Sequence, residues 1–389
     1  MFINDYWENN AVKLIRSGNT YFDLLKYNIR FSKQEIMIHA YIFKDDQTGM
    51  EIIEELIQAS KRECKIFLLL DGIASSISHE NLNRLRQSGI YIHFFEPFLR
   101  GKSYYFGRRL HQKICVFDNH TALVGGINIA DRYNDILTQK AWLDYAIEIK
   151  GNAVSDISKY CKSWWQNKEK VEFGIKNIEP DKNKYGNSKV RVRRNDWTKH
   201  LNEISLSYLE MFRNAENEIV ILCSYFLPGK TIRRAIIRAA ERGVNIKVIL
   251  AGRSDITISK HAERWLYDWL FRQKIEIYEY QKNILHGKLA ICDEKWMTIG
   301  SYNMNNLSTY VSIECNVDII DKEFCSSVRA EMKSIIENDC TKINVITNRI
   351  KHNPLVQFYR WLCYFFLVWV LRFTTFYFKR SKGKSKTIL

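Results

Sequence analysis

From Thr341 to the C-terminus the chain has no aspartate or glutamate, while it holds ten lysines and arginines. That stretch therefore carries +10 of a formal net charge of +16, leaving +6 for residues 1–340. A protein that follows a nucleic-acid backbone spreads its cations around the binding face, so this end-loaded distribution argues against nucleic acid as partner. None of the nine cysteines forms a C-x2-C pair, and Cys64, Cys115, Cys223, Cys292 and Cys315 lie in apolar, strand-like runs. Buried free thiols are expected, with neither a zinc site nor a disulfide framework. Met1 to Asp5 offers no basic leader and no apolar core of secretory length, which favours a cytoplasmic body. Near the C-terminus Leu355 to Phe378 would as a helix reach ~36 Å, nominally enough to cross a bilayer, but it is interrupted by arginines. Within Leu355 to Phe378 the uninterrupted apolar run, Trp361 to Leu371, is bounded by Arg360 and Arg372 and has 11 residues, against the ~20 a span needs.

What is present is one unusual string, twice. His111-Gln112-Lys113 runs through Asp118 to Gly125-Gly126 and Asn128, and His286-Gly287-Lys288 runs through Asp293 to Gly300-Ser301 and Asn303. Both read H-x-K-x4-D-x6-G-[GS]-x-N, with 175 residues between the histidines. A single H-x-K is usually a surface pair; two copies with every spacing kept mark an internal duplication.

The surroundings, Leu110 to Phe117 and Ile284 to Ile291, read as strands. On a strand, residues i and i+2 share a face, so His111 would project with Lys113 and His286 with Lys288. An imidazole beside an ammonium suits a phosphate: lysine binds an oxygen while histidine attacks phosphorus or moves a proton. Motif membership puts Asp118 and Asp293 with the catalytic set, but at i+7 they fall on the opposite strand face and read as scaffold. Gly126 and Ser301 would let backbone approach a ligand, and Asn128 and Asn303 would offer amide donors to the same phosphate. The first copy has glycine where the second has serine, so one hydroxyl donor is missing.

This duplicated pattern resembles the phospholipase D superfamily, from about Tyr21 to about Asp339. The resemblance implies a pseudo-symmetric α/β fold of two halves with one active site between them, and no metal or other cofactor. It implies a phosphohistidine intermediate, one histidine attacking the phosphodiester and the other protonating the leaving alcohol. The sequence leaves open which is which; the resemblance assigns His111 as nucleophile and His286 as acid. It also implies carboxylates about thirty residues past each histidine that fix the imidazole tautomers. Asp144 and Glu314, 33 and 28 residues on, fill those places.

The remaining sequence repeats in step. A strand (Glu35 to Phe43; Glu218 to Leu227) leads to an amphipathic helix (Met50 to Ser60; Thr231 to Glu241). A second strand (Cys64 to Leu70; Val244 to Leu250) leads to a second helix (Glu80 to Ser88; Lys260 to Gln273). A short strand (Ile90 to Phe95; Ile275 to Tyr280) then precedes the motif. Such an order predicts a largely parallel or mixed sheet flanked by helices. The halves are expected at residues 1–172 and 199–345, joined by a polar linker at 173–198 that includes Arg191-Val192-Arg193-Arg194.

Residues 346–389 form a basic, aromatic tail, with Trp361, Phe365, Phe366, Trp369, Phe373, Phe376 and Phe378 ahead of a lysine-rich end. Such a segment suits the headgroup boundary of an anionic membrane, and places the body at the inner face of the cell membrane. The second motif and the segment W-L-D-Y-A-I-E-I-K-G-N-A-V are most similar to bacterial cardiolipin synthases, in their short form without N-terminal spans. That implies a phosphatidyltransferase acting on phospholipid, phosphatidylglycerol above all. Alternatives are a phospholipase D with water as acceptor, a membrane-attached nuclease, or a lipid-binding pseudoenzyme, which the two intact motifs disfavour.

Overall fold

A computed structural model describes residues 6–97, 108–166, 171–176, 185–305, 308, 311–344 and 354–383. The first half opens with β1 (Trp7–Arg16) and α1 (Asn19–Phe31). Then come β2 (Glu35–Ala40), α2 (Gln47–Lys61), β3 (Lys65–Asp71), α3 (His79–Gln87) and β4 (Tyr91–Phe95). The short β5 (Arg109–Leu110) precedes a hairpin of β6 (Lys113–Phe117) and β7 (Thr121–Gly125), then β8 (Tyr145–Gly151) and α4 (Ala153–Ser163). The second half opens with β9 (Ser188–Asp196), β10 (Leu201–Asn202) and α5 (Glu203–Asn214). It continues through β11 (Glu218–Cys223), α6 (Lys230–Glu241), β12 (Asn245–Ala251), α7 (Thr257–Trp265), α8 (Tyr267–Arg272) and β13 (Glu276–Tyr280). The hairpin of β14 (Lys288–Cys292) and β15 (Trp296–Gly300), β16 (Ser312–Ile320), α9 (Lys322–Asp339), β17 (Cys340–Ile343) and α10 (Pro354–Gly383) complete it.

The strands pair in the order 4-3-2-6-7-8-1-9-16-15-14-11-12-13-17. Strands β2, β3 and β4 are parallel, as are β11, β12 and β13. Each trio meets its motif hairpin antiparallel. The two-half α/β expectation therefore holds.

Strand β3 reads K-I-F-L-L-L-D without polar alternation because both its faces are covered. Phe67 and Leu69 join a core shared with Leu222 and Ile249 of the second half. Ile66, Leu68 and Leu70 instead pack with Leu25, Ile52 and Ile53 of α1 and α2. The outer face of the second half repeats this with Ile246, Val248 and Leu250 against α5 and α6. Each half thus buries one helix layer outside and shares one core between halves.

The linker expectation is corrected for residues 188–196. They form β9, which pairs with both β1 and β16 and so stands to the second half as β1 stands to the first. Its arginines are interior because β16 offers Asp318, fully buried, in the facing register. Arg191 Nε donates to Asp318 at 2.9 Å, and Arg193 Nε donates to Ser207 Oγ at 2.9 Å. Removing one partner of such a buried ion pair costs about 3–5 kcal/mol. Part of a stretch read as a polar linker is a central strand.

The tail helix α10 packs along α7, burying Arg360 and Cys363. Arg233 of α6 donates to Tyr364 Oη at 2.6 Å and lies 5.1 Å from the centre of the Trp269 ring. On the other side Leu355, Phe358, Leu362, Phe365, Phe366 and Trp369 are exposed at successive three- and four-residue steps, which is one helix face. Among the described residues no helix is long and apolar enough to cross a membrane.

Candidate active site

The strands carrying the motifs begin at Lys113 and Lys288, later than expected, so each histidine lies just before its strand. What holds each histidine is the opposite half. The His111 N–H donates to Ile313 O at 3.0 Å, where β5 runs parallel to β16. The His286 N–H donates to Leu143 O at 2.7 Å beside the parallel bridge of Leu143 with Leu285. The residues after those two accepting carbonyls are Glu314 and Asp144, and the side chains follow the backbone. His111 Nδ1 lies 2.9 Å from Glu314 Oε2, and His286 Nδ1 lies 2.6 Å from Asp144 Oδ2. The pairing is crossed: each imidazole is held by the carboxylate that follows the other motif. Both carboxylates are fully buried, and each engages its imidazole through Nδ1.

Asp118 and Asp293 do not belong with the reacting groups. Asp118 accepts the N–H groups of Lys33, Gln34 and Glu35 at 2.8–2.9 Å. Asp293 accepts those of Glu216, Asn217 and Glu218 at 2.8–2.9 Å. Each sits at the hairpin turn with positive φ and fastens it to the start of β2 or β11. Their place in the motif is a scaffold role repeated to the individual hydrogen bond, so motif membership alone does not put them with the catalytic set.

The glycine–serine difference has a steric cause. A Cβ on Gly126 would lie 2.4 Å from Asp144 Oδ1 and 2.8 Å from Oδ2. The short aspartate fills that space and is fixed there by the Tyr145 N–H at 2.7 Å as well as by His286. The longer Glu314 reaches its histidine from further back, and the Ser301 hydroxyl donates to its Oε2. Glycine goes with aspartate and serine with glutamate.

The lysines occupy the same buried site. Lys113 Nζ donates to the His111 carbonyl, and Lys288 Nζ donates to the His286 carbonyl and lies 3.0 Å from His286 Nδ1. Burial, with Lys288 as a neighbouring cation, lowers the Lys113 ammonium to about 7; burial lowers Lys288 as well. Burial lowers His111, opposed by Glu314, and pushes His286 well below its usual range, reinforced by Lys288 and Lys113. Burial raises Asp144 to about 6, against the pull of Lys288. Two ammonium groups crowded into one dry site are a place an anion would relieve.

The asparagines are engaged. Asn128 Oδ1 accepts the Ile42 N–H at 3.1 Å and its Nδ2 donates to Tyr133 Oη at 2.8 Å. Asn303 Oδ1 accepts from Ser224 Oγ at 2.8 Å. Several residues here escaped sequence reasoning. Tyr133 Oη stands 3.5 Å from His286 Nε2, at the limit of hydrogen-bond reach, with its ring edge-on to the imidazole. Arg132 lies over Trp142 at 4.9 Å, and Tyr41 meets His111 edge-on at 4.7 Å. Asp71 accepts the Leu110 N–H at 2.8 Å and pairs with Arg109, fixing the entry to His111. In the sequence Arg132 is a basic residue near the first motif that could serve an anionic headgroup, whereas the only signal for Tyr133 is its closeness to that motif, in Asp131-Arg132-Tyr133-Asn134.

Comparison with known proteins follows the same lines. A family profile described as "Cardiolipin synthase, PLD-like domain" matches residues 25–165 and 208–336. Cardiolipin synthase B of Shigella flexneri is 31% identical over 350 residues, covering 87% of this chain and 83% of that protein. Cardiolipin synthase of Clostridium perfringens is 26% identical over 357 residues, covering 88% and 74%. In fold, the crystal structure of phosphatidylserine synthase from Haemophilus influenzae superposes with a TM-score of 0.74 at 15% identity, covering 95% of this chain and 96% of that one.

Proposed function

The chain belongs to the family of cardiolipin synthases with phospholipase D-like domains and is a phosphatidyltransferase of that type, and from this premise we propose a donor, a division of roles and a mode of attachment. The donor is phosphatidylglycerol. His111 Nε2 attacks its phosphorus while the bond to the glycerol headgroup breaks, and that oxygen takes a proton from His286 Nε2. The hydroxyl of a second lipid then gives its proton back to His286 as its oxygen displaces His111, forming cardiolipin. A phosphodiester replaces a phosphodiester, so no net hydrolysis is needed.

The observation that carries this reading is the crossed pair of histidine–carboxylate contacts with a buried lysine beside each histidine. A carboxylate at Nδ1 fixes the tautomer that bares Nε2 and stabilises the ring when it becomes positive. The roles differ by surroundings: His286 Nε2 already faces a hydroxyl, that of Tyr133, whereas His111 meets a ring edge. His286 is held neutral partly by Lys288 and Lys113, so a bound phosphodiester anion screens both and lets it charge. The acid is thus armed by its substrate. Lys113, Lys288, Asn128 and Asn303 face the charge on the non-bridging oxygens, the asparagines after exchanging their resting partners, while Gly126 and Ser301, expected at the phosphate, instead seat the carboxylates Asp144 and Glu314.

The exposed aromatic face of α10 attaches the enzyme peripherally to the anionic inner face of the cell membrane, its cations adding attraction. The lysines beyond α10 lie outside the described residues. The test is incubation with labelled phosphatidylglycerol, with and without a chelator, and identification of the lipids formed. Cardiolipin with free glycerol is the expected result; phosphatidic acid alone would make water the acceptor and overturn the transferase reading.

A further inference from the structure

The second half carries a groove, of about 290 Å³, that the active site does not use. Leu209 and Phe212 of α5 face Thr231 and Ala235 of α6, and Arg213, Arg234, Arg238 and Arg242 surround them. On α6, residues 231, 234, 235 and 238 lie three or four apart, with Arg242 just past the helix end continuing the same face, so one helix face supplies the groove wall. No carboxylate lines it, and Glu210 on α5 is already engaged by Arg191 at 2.9 Å. Arg242 is fixed by donating to the carbonyls of Phe212 and Ala215 at 2.7 and 3.1 Å. Arg213, Arg234 and Arg238 are exposed cations around an apolar floor. The other side of the same helix holds the tail through Arg233 and Tyr364, so groove and aromatic face flank one element.

We propose that the groove between α5 and α6 binds an anionic phospholipid of the membrane, its phosphate between Arg234 and Arg238 and its chain over Leu209 and Ala235. The proposal rests on the reading of the enzyme as working at a phospholipid surface, and adds a lipid site apart from the catalytic one. Guanidinium pairs match phosphate oxygens by direct hydrogen bonding, and an apolar floor selects an amphiphile over an inorganic anion.

The full chain is tested on phosphatidylcholine vesicles with and without phosphatidylglycerol. Arg234→Gln/Arg238→Gln removes the charge, and Ala235→Leu fills the groove with every charge kept. Lys61→Gln/Arg86→Gln removes the same charge from exposed positions of the first half. A cation near an anionic surface is worth roughly a factor of five in binding. The arginine pair should therefore lose about 25-fold on phosphatidylglycerol vesicles. Ala235→Leu should lose several-fold, and the control pair less than about two-fold, with cardiolipin formation from detergent-dispersed lipid unchanged in all three. Equal losses in the arginine and control pairs, or full binding by Ala235→Leu, would reduce the groove to general surface charge and overturn the proposal. Displacement of the vesicles by millimolar inorganic phosphate would also overturn it, in favour of a free-phosphate site. If wild type makes no cardiolipin at all, the parent reading fails, whichever way the groove variants bind.

Discussion

Replacing Gly126 by alanine tests the steric account of the site with one methyl group. The added Cβ would meet Asp144 Oδ1 at 2.4 Å and Oδ2 at 2.8 Å, with the carboxyl carbon at 2.9 Å. Comfortable contact needs roughly 3.5 Å, so the carboxylate must retreat by roughly 1 Å. It has no slack, since the Tyr145 N–H and His286 Nδ1 hold it at 2.7 and 2.6 Å. Retreat by that distance stretches the contact to His286 beyond hydrogen bonding. Misplacement of a catalytic group by about 1 Å costs on the order of 100-fold. Turnover of labelled phosphatidylglycerol should fall by about that factor. The overpacking itself should cost about 1–3 kcal/mol, a Tm loss on the order of 5 °C. Ser301→Gly is the counterpart: it removes a hydroxyl from Glu314 without adding an atom, and should cost about ten-fold or less. Near wild-type turnover by Gly126→Ala with intact folding, or a greater loss in Ser301→Gly, would refute the reasoning.

Three further outcomes are expected. His111→Ala and His286→Ala should each abolish turnover, and because the pairs are crossed, Glu314→Gln should behave as a weak His111 variant and Asp144→Asn as a weak His286 variant, each down about 10- to 100-fold. With an activated substrate whose leaving group needs no proton, burst kinetics should show adduct formation by the His286 and Asp144 variants only; adduct in the His111 variant instead would reverse the roles. Lys113, at about 7 in the free enzyme, is charged below that pH and neutral above it, so kcat/KM should fall as pH rises through about 7, and Lys113→Arg should remove that limb from the pH–rate profile. Phe365→Asp/Trp369→Asp, on the exposed face of α10, should weaken sedimentation with anionic vesicles while activity on a short-chain soluble phosphodiester stays near wild type; loss of the soluble activity would make that face part of the folded body.

The histidines and lysines were legible in the sequence because the duplication displayed the same residue types at the same spacing twice. Asp144 and Glu314 were also within reach, at corresponding places after each motif. Their crossed partnership was not, since distance along the chain says nothing about which strand faces which. Strand β9 was missed for a related reason: Arg191 and Arg193 look solvent-bound until Asp318 lies opposite. Tyr133 and Asp71 stood outside any repeated pattern, and only the folded chain brings them to the histidines. The helix of the second half expected at Lys260 to Gln273 is broken into α7 and α8.

The crossing also governs when the enzyme can begin to work. A ribosome that has released His111 has not yet made the residue that orients it, for Glu314 follows 203 positions later. On the proposed roles, a chain truncated before β16 should therefore show no turnover. A lone copy of one half could assemble such a centre only by pairing with another copy about a two-fold axis, each lending its carboxylate to its neighbour. Separately synthesised halves, cut between α4 and β9, should for the same reason be silent apart and active when mixed.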